Sequence, residues 1–455
     1  MDQAGMTILE AGLALRDRKV SCVELTKDAL RRVEESQGRL NAFITVTGEA
    51  ALARAAALDA ELARGEDRGP LHGIPIAHKD AILTRGVRTT TGTKIFFDHV
   101  PDEDAEIVTA LDRAGTVSVG KTNLHELCHG ITSDNPHFGP VCNPWDTSRI
   151  PGGSSGGSAA AVGAGVVPMA TGTDTGGSIR IPASYCGAVG LKPTFGLLSC
   201  RGMTPLGFTL DHVGPITRTV RDAAASFYGM RGREGMIPRE VSSPAGLRIG
   251  VPEHFFFDSL APEVRAAVRK AVQTIAALGT EAAEIRLPDV DALNTSGRMI
   301  QLAEASTVWK KYQHRREDFG ADVFALLQQG LLLPATDYLE AQRVRKVLAR
   351  EFSRVWERVD CLVMPTTPVT AAKRGEMTVE IGDAREDVRL ASTRLTRPFN
   401  VLGWPALSLP CGFSEAGLPV GVQLVAAPHR EDVVLQVGAA LEDALGLTAR
   451  HPAGF

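Results

Sequence analysis

The sequence predicts an α/β protein, a single large domain with a central mixed β-sheet covered by helices. Short apolar runs alternate with helical patterns along most of the 455 residues, and Gly, Thr, Asn or Asp follows each of the first three runs. The chain shows no internal repeat, low-complexity linker or obvious domain break. Its composition, 44% hydrophobic and 22% charged, is that of a globular protein long enough to build a large core without disulfides.

The first part of the chain, residues 1–65, is predicted to be a helical segment. Ser21 and Glu24 form a capping box, in which each side chain bonds the backbone of the other, and this box opens a helix that runs to about Ser36. A second helix is predicted over 47–64, which is rich in Ala and Leu and is followed by Gly65, a common helix stop.

The rest of the chain supplies the sheet and its covering helices. We expect residues 66–220 to hold the functional core and 221–455 to complete the sheet and cover the site. The apolar runs predicted as strands are 74–77, 116–119, 166–170, 247–251, 361–364, 406–409 and 420–426. The predicted helices of the second half are 262–278, 337–359, which Asp337 and Glu340 are expected to cap, and 430–445.

Charge and cysteine content exclude several classes of protein. The net charge of −4 lacks the basic excess that nucleic-acid binding needs. The seven cysteines are scattered without metal-ligand spacing, so we expect reduced thiols, no metal and no cofactor. Residues 150–173 carry no charge, but their seven glycines argue against a membrane span. No secretory signal is recognisable, which predicts a cytoplasmic protein. We also expect a monomer or homodimer with no nucleic-acid or membrane partner.

Three segments are candidates for chemistry. In 73–80, Lys79 ends an apolar strand, where burial would lower the pKa of its amine and make it a neutral base. We expect the neighbouring Asp80 to point away, because successive side chains alternate along a strand. The alternative is a surface lysine paired with Asp80.

The other two segments are rich in glycine. Residues 151–158 read PGGSSGGS and lead into an apolar helix, which favours a shaped loop over a free linker. Residues 172–180 read GTDTGGSIR, and the amides of 175–178 are placed to bind an anion at a helix start. The alternative for this segment is a phosphate-binding or purely structural turn. Together the three segments supply the base, the nucleophile and the oxyanion donors that a serine hydrolase requires.

With these segments the chain resembles the amidase signature family, the Ser-Ser-Lys amide hydrolases. The central segments that carry the resemblance are long and specific: 152–158, 172–180 and 181–194. Similar segments outside them are 120–127, 211–215 and 364–368, so the resemblance covers essentially the whole chain. The resemblance implies the fold of that family, with helices on both faces of the mixed sheet.

The resemblance also implies a catalytic triad. The family's lysine falls on Lys79, its bridging serine after a cis peptide bond falls on Ser154, and its nucleophile falls on Ser178. Its oxyanion donors fall on the backbone amides of Thr175, Gly176, Gly177 and Ser178.

Further residues are expected to support this triad or to contact substrate. Asp174 and Arg180 are interpreted as a charge pair that braces the nucleophile turn, and Ser155 as a positioning neighbour. The acyl pocket is expected to draw on 123–132 and 202–206, with 299–329 covering the site. The predicted substrate contacts are Gly130, Ile131, Thr132 and Gly153.

The predicted activity is hydrolysis of a small or aryl amide, ester or carbamate by a free-standing enzyme. One alternative is the glutamine-hydrolysing A subunit of a tRNA-dependent amidotransferase. That branch usually carries Arg-Tyr-Gly where residues 308–313 here read VWKKYQ, so the chain departs from it at a region of substrate contact. A second alternative is a catalytically degenerate member of the family used as a binding module, against which the intact Lys79, Ser154 and Ser178 count.

Overall fold

The computed structural model describes residues 5–232 and 243–455, which form fifteen strands and fourteen α-helices. The strands are β1 (Phe43–Val46), β2 (Pro75–Lys79), β3 (Val117–Thr122), β4 (Asp134–Asn135), β5 (Gly139–Pro140), β6 (Met169–Asp174), β7 (Val189–Lys192), β8 (His212–Thr217), β9 (Arg248–Pro252), β10 (Glu281–Ile285), β11 (Cys361–Pro365), β12 (Thr378–Ile381), β13 (Ala384–Asp387), β14 (Ala406–Phe413) and β15 (Pro419–Ala426). The helices are α1 (Ile8–Arg16), α2 (Cys22–Leu40), α3 (Gly48–Ala63), α4 (Glu106–Arg113), α5 (Gly156–Gly163), α6 (Arg180–Cys186), α7 (Val220–Met230), α8 (Pro262–Ala277), α9 (Val290–Trp309), α10 (Ala321–Leu331), α11 (Ala335–Ser353), α12 (Val388–Arg394), α13 (Arg397–Leu402) and α14 (Glu431–Leu445).

Eleven of the strands form one continuous sheet, in the order β1-β3-β2-β6-β8-β7-β14-β15-β11-β9-β10. Strand β2 runs parallel to both β3 and β6, and β9 runs parallel to both β11 and β10. The other neighbours in the sheet are antiparallel. The prediction of a single α/β domain with a central mixed sheet is therefore confirmed.

The central strands are covered on both faces. Every residue of β2, β6, β8, β11 and β15 is buried, although successive side chains of a strand point to opposite faces. Helices α5, α6, α7, α8 and α14 pack against this part of the sheet. Both faces must be covered for all residues of a strand to be buried, so the two-sided helix cover that the family resemblance implied is present.

Two smaller apolar clusters lie beside the main core and hold the segment around residues 128–131. Cys128 packs in a cluster with Trp309 and Leu327 of α9 and α10. Ile131 packs in the other, with Ile181 of α6 and Val388 of α12. These contacts join elements that are distant in the sequence to the end of the sheet where β2 and β6 finish.

The N-terminal segment is mostly helical, as predicted. Helix α2 has the expected capping box, with the Ser21 hydroxyl accepting from the Glu24 amide, and it continues to Leu40. The prediction missed β1, an edge strand of four residues between α2 and α3. The capping of the 337–359 helix by Asp337 and Glu340 is also wrong: α11 begins after Pro334 and has no side-chain cap, since proline has only its carbonyl to offer there.

Three further strands of the eleven-stranded sheet were not predicted, because their residues do not look like strand residues. Strands β7 and β8 read VGLK and HVGPIT, and both contain glycine with a lysine, histidine or proline. Strand β10 reads EAAEI, a composition that favours helix, and four of its five residues are exposed at the edge of the sheet. Pairing with neighbouring strands overrides these local preferences.

No helix of the described residues is long and apolar enough to cross a membrane. The uncharged stretch 150–173 contains a loop, the short buried helix α5 and most of β6, in agreement with the expected loop, core helix and 166–170 strand, although β6 begins only at Met169.

Helix α5 lies so close to the sheet that only glycine fits at Gly157. A Cβ there would lie 2.4 Å from the Asn123 carbonyl oxygen, 2.5 Å from the Ala42 carbonyl oxygen and 2.7 Å from the Asn123 amide nitrogen. All three are backbone atoms, which cannot move aside as a flexible side chain can. The loop that carries Ser154 is thereby held against the end of β3.

We expect Gly157→Ala to destabilise the protein by at least about 2 kcal/mol, because the added methyl overpacks against fixed backbone. Gly38→Ala is the matched control: Gly38 is an exposed residue of α2 with no atom within 4 Å of the added Cβ, so alanine should stabilise that helix by about 0.5–1 kcal/mol. Thermal or urea denaturation measures both, and equal effects of the two substitutions would contradict the close approach.

Candidate active site

Lys79 is the last residue of β2, between β3 and β6, and its side chain is fully buried. Its Nζ lies 2.7 Å from the hydroxyl oxygen of Ser154 and 2.7 Å from that of Thr173. Its backbone amide donates to the Thr171 hydroxyl at 3.1 Å. The amine is thus held between two hydroxyl groups, and the interpretation of Lys79 as a surface residue is wrong.

Burial is the main influence on the Lys79 amine. Removal from water disfavours the ammonium form and lowers the pKa of Lys79, while the thiol of Cys128 and the more distant carboxylates of Asp174 and Asp211 act in the opposite direction. Asp80 points away from Lys79, as predicted, because its carboxylate accepts hydrogen bonds from the amide and hydroxyl of Thr90.

Ser154 lies in the tight loop that precedes α5. The Gly153–Ser154 peptide bond is cis, as the resemblance implied. The Ser133 hydroxyl donates to the Gly152 carbonyl at 2.8 Å, and the His125 amide donates to the Ser154 carbonyl at 3.0 Å. The loop is therefore bonded on two sides, and it directs the Ser154 hydroxyl toward Lys79.

Ser155 joins this loop to the turn that carries Ser178. Its amide donates to the Ser178 carbonyl at 3.2 Å, and its hydroxyl donates to the Thr173 carbonyl at 3.2 Å. This arrangement fits the positioning role predicted for Ser155. Within the described residues, no hydrogen bond joins the hydroxyl of Ser154 directly to that of Ser178.

A buried ion pair fixes the Ser178 turn. The guanidinium of Arg180 donates twice to the Asp174 carboxylate, both bonds measuring 3.0 Å. The same carboxylate accepts from the backbone amides of Gly177 at 2.7 Å and Ile179 at 3.1 Å, and from the side-chain amide of Asn400 at 2.8 Å. The positive charge of Arg180 and these donors hold the pKa of Asp174 well below its usual range, despite burial.

The Gly177 contact corrects the predicted set of oxyanion donors. The amide of Gly177 is bonded to Asp174 and is not available to a ligand. For the amides of Thr175, Gly176 and Ser178, no acceptor is found among residues 5–232 and 243–455. Three of the four predicted donors therefore remain for an oxyanion.

Ser178 opens onto a cavity of about 100 Å³. Loop 128–131 and the Ser178 turn line one side, while α9, α10 and residues 387–397 line the other. The residues of its wall are Cys128, His129, Gly130, Ile131, Gly176, Ser178, Arg298, Gln301, Leu302, Leu326, Asp387, Arg389, Leu390, Thr393 and Arg397.

The cavity wall agrees in part with the predicted substrate contacts. Gly130 and Ile131 lie in it, and so do Gln301, Leu302 and Leu326 of the stretch expected to cover the site. Thr132 and Gly153 do not line the cavity: Thr132 contacts the ring of His125 at 3.2 Å, and Gly153 packs against the backbone of Ile131. Residues 202–206 are also absent from its wall, which corrects the expectation that they form the acyl pocket.

Some residues of the site were missed from the sequence. Thr173, the second partner of Lys79, lies in the glycine-rich segment 172–180, and strand alternation places its side chain on the face of β6 opposite to Asp174. Arg298, Arg389 and Arg397 belong to no recognisable motif, and no sequence signal places them beside Ser178. Among the described residues no group of three or more His, Cys, Asp or Glu side chains could hold a metal ion.

Comparisons with known proteins agree with this geometry. The family model described as Amidase matches residues 24–435, about nine-tenths of the chain. This chain belongs to the amidase family. It is 38% identical to the A subunit of the glutamyl-tRNA(Gln) amidotransferase of Koribacter versatilis, over 98% of this chain and 99% of that protein.

Two solved structures show that the amidase fold extends over nearly the full chain. A structure described as an amidase is 40% identical, with a TM-score of 0.91 over 97% of this chain and all of that one. An inhibitor-bound structure, described as a vestigial protein complex that reveals the evolutionary origins of an s-triazine catabolic enzyme, is 36% identical, with a TM-score of 0.90 over 96% of this chain and 98% of that one. The amidase assignment therefore rests on both sequence and structure.

Proposed function

We propose that this amidase-family protein hydrolyses a small amide through an acyl-enzyme on Ser178, with Lys79 and Ser154 relaying protons. The observation that carries the proposal is the fully buried Lys79 amine, which lies 2.7 Å from the Ser154 hydroxyl and has no carboxylate of the described residues bonded to it. Burial lowers the pKa of Lys79 and so shifts the lysine toward its neutral form, which is the form that accepts a proton.

The proposed reaction begins at the Ser178 hydroxyl. As its oxygen attacks the carbonyl carbon of the substrate, its proton passes to Ser154, and the proton of Ser154 passes to Lys79. The two serine hydroxyls are not bonded to each other here, so substrate binding must bring Ser178 within reach of Ser154. Catalytic hydrogen bonds of this kind often tighten only in the substrate complex.

The second half of the reaction reverses the proton movement. When the C–N bond breaks, Ser154 donates a proton to the leaving nitrogen and recovers one from Lys79. Water then attacks the acyl group on Ser178 through the same relay. The amides of Thr175, Gly176 and Ser178 are placed to stabilise the oxyanion in both halves. Esters and carbamates share this acyl-serine chemistry and belong to the same proposal.

We expect a fluorophosphonate to label Ser178, because the proposed relay makes this hydroxyl the nucleophile. Mass spectrometry of digested protein locates the label, and Ser178→Ala should lose both the label and amide hydrolysis. Ser184→Ala is the matched control and should keep the label, since Ser184 is a buried serine of α6, six residues from Ser178, and has no part in the proposed relay. A label on Ser154 or Ser155 would overturn the assignment, and no label at all would favour a catalytically degenerate binding protein.

We expect the rate of hydrolysis to rise with pH until Lys79 is deprotonated and then to level off. Burial lowers the pKa of Lys79, so this rise should occur at lower pH than for an exposed lysine. Lys79→Arg keeps the positive charge but cannot release its proton, and it should lose about 10²-fold or more of kcat/KM, as Lys79→Ala does. Substantial activity of the arginine variant would show that Lys79 acts through its charge alone.

A second candidate function is glutamine hydrolysis as the A subunit of a tRNA-dependent amidotransferase. The name of the Koribacter versatilis relative, which matches over almost the whole of both chains, favours this reading. In that case the protein would work in an assembly and pass ammonia to a partner subunit.

A substrate panel distinguishes the two candidates. Glutamine, anilides, alkyl amides and carbamates are assayed with the protein purified alone, measuring released ammonia or amine. We expect turnover of amides other than glutamine, because residues 308–313 depart from the pattern of the A subunit. Turnover of glutamine alone would instead support the amidotransferase subunit.

A further inference from the structure

The cavity beside Ser178 carries an excess of positive charge. Its wall contains three arginines, Arg298, Arg389 and Arg397, but among the described residues only one carboxylate, that of Asp387. His129 also lies in the wall, and burial lowers its pKa to about 3, so it is neutral near pH 7. The chain as a whole has a net charge of −4, so this excess is local to the cavity.

Asp387 compensates only part of this charge, that of Arg389. Its carboxylate lies 3.4 Å from the Arg389 guanidinium and accepts from the amides of Arg389 and Leu390 at the start of α12. It is therefore engaged with its own helix and one arginine. Arg298 has no ion pair or hydrogen bond within residues 5–232 and 243–455.

Arg397 is the most unusual of the three arginines. Only 7% of it is exposed, and its two bonded partners are neutral: the Asn294 side-chain oxygen at 3.1 Å and the Thr393 hydroxyl at 2.8 Å. Its Nε is buried and has no hydrogen-bond partner in the described part of the chain. Burial and the neighbouring Arg298 lower the pKa of Arg397 to about 10, so it remains a cation near pH 7.

Two glycines, Gly176 and Gly297, lie beside the Arg397 side chain and place it next to the nucleophile turn. A Cβ on Gly176 would lie 3.6 Å from the Arg397 Nε and 3.4 Å from the Gln301 side-chain oxygen. A Cβ on Gly297 would lie 2.3 Å from the Val401 side chain and 3.2 Å from the Arg397 Cδ, so a glycine on α9 leaves room for both side chains. A buried guanidinium with no acidic partner is costly unless a ligand supplies the anion.

We propose that Arg397, assisted by Arg298, binds a carboxylate on the acyl part of the substrate, and that the substrate has no ammonium group beside this carboxylate. The guanidinium fork matches the two oxygens of a carboxylate, and Gly176 places it next to Ser178. The cavity of about 100 Å³ suits a short acyl chain. An ammonium group would meet arginines and, among the described residues of the wall, only the carboxylate of Asp387, which is already bonded. This inference rests on the proposed amide hydrolysis.

Binding of matched amides tests the proposal. Malonamate, succinamate and glutaramate are compared with propionamide, butyramide and valeramide, in which a methyl group replaces each carboxylate. Glutamine adds an ammonium group to glutaramate. Calorimetry on Ser178→Ala measures binding without turnover. We expect at least one carboxylate to bind about tenfold or more tightly than its neutral match, and glutaramate to bind at least as tightly as glutamine.

Arginine variants then locate the effect. Arg397→Gln, made in the Ser178→Ala protein, should remove the preference for the carboxylate, and Arg397→Lys should retain part of it. Arg394→Gln is the matched control, because Arg394 lies three residues away, outside the cavity wall, and donates to the Ser259 carbonyl at 2.8 Å. Its preference should be unchanged. If Arg397→Gln does not fold, as judged by circular dichroism, Arg298→Gln should weaken the preference instead.

Four outcomes would each overturn the carboxylate subsite. Two concern the amides themselves: charged and neutral amides bind equally, or none of them binds at millimolar concentration. The others are an unaltered preference in the Arg397 variant and tighter binding of glutamine than of glutaramate. Failure of the hydrolytic proposal is separate. If fluorophosphonate does not label Ser178 but carboxylates still bind preferentially, the hydrolytic proposal fails and the carboxylate subsite stands. If Ser178 is labelled but carboxylates are not preferred, the subsite fails and the hydrolytic proposal stands.

Discussion

The buried ion pair between Asp174 and Arg180 is the interaction on which the candidate site depends. On one side it fixes the turn of Ser178 through the backbone amides that Asp174 accepts. On the other side Arg180 donates to the Thr396 carbonyl at 2.9 Å and to the Gln423 side chain at 2.7 Å, more than two hundred residues away. Removing one partner would leave an uncompensated charge without water, at a cost of about 3–5 kcal/mol. The pair therefore sets the turn and attaches it to the second half of the sheet.

The parts of the site that were predictable from the sequence are those in which spacing along the chain determines position. Ser178 and its neighbouring amides lie in one glycine-rich turn, and Lys79 ends an apolar strand whose burial follows from its residues. The sheet was predicted for the same reason wherever an apolar run was continuous. Strand β10 was missed because its alanines and glutamates favour helix, and only pairing with β9 makes it a strand.

The unpredicted parts depend on contacts between distant residues. The hydrogen bond from the Gly177 amide to the Asp174 carboxylate depends on the three-dimensional path of the turn, which the composition of the turn does not reveal. Arg397 looks like an ordinary surface arginine in the sequence, and only the packing of α13 against α9 buries it beside Gly176. The cavity wall could not be derived from local patterns, because its two sides come from segments more than a hundred residues apart.

This division of the cavity has a consequence for how such a protein can change. The groups proposed to carry the reaction come from residues 79–178, whereas most of the charge in the cavity comes from residues 298–397. Mutations in α9, α12 and α13 can alter the charge and size of the cavity while the Lys79 and Ser154 contact stays intact. Substrate preference can thus diverge faster than mechanism among descendants of one ancestor, and a library for altered selectivity can be confined to one stretch of the gene.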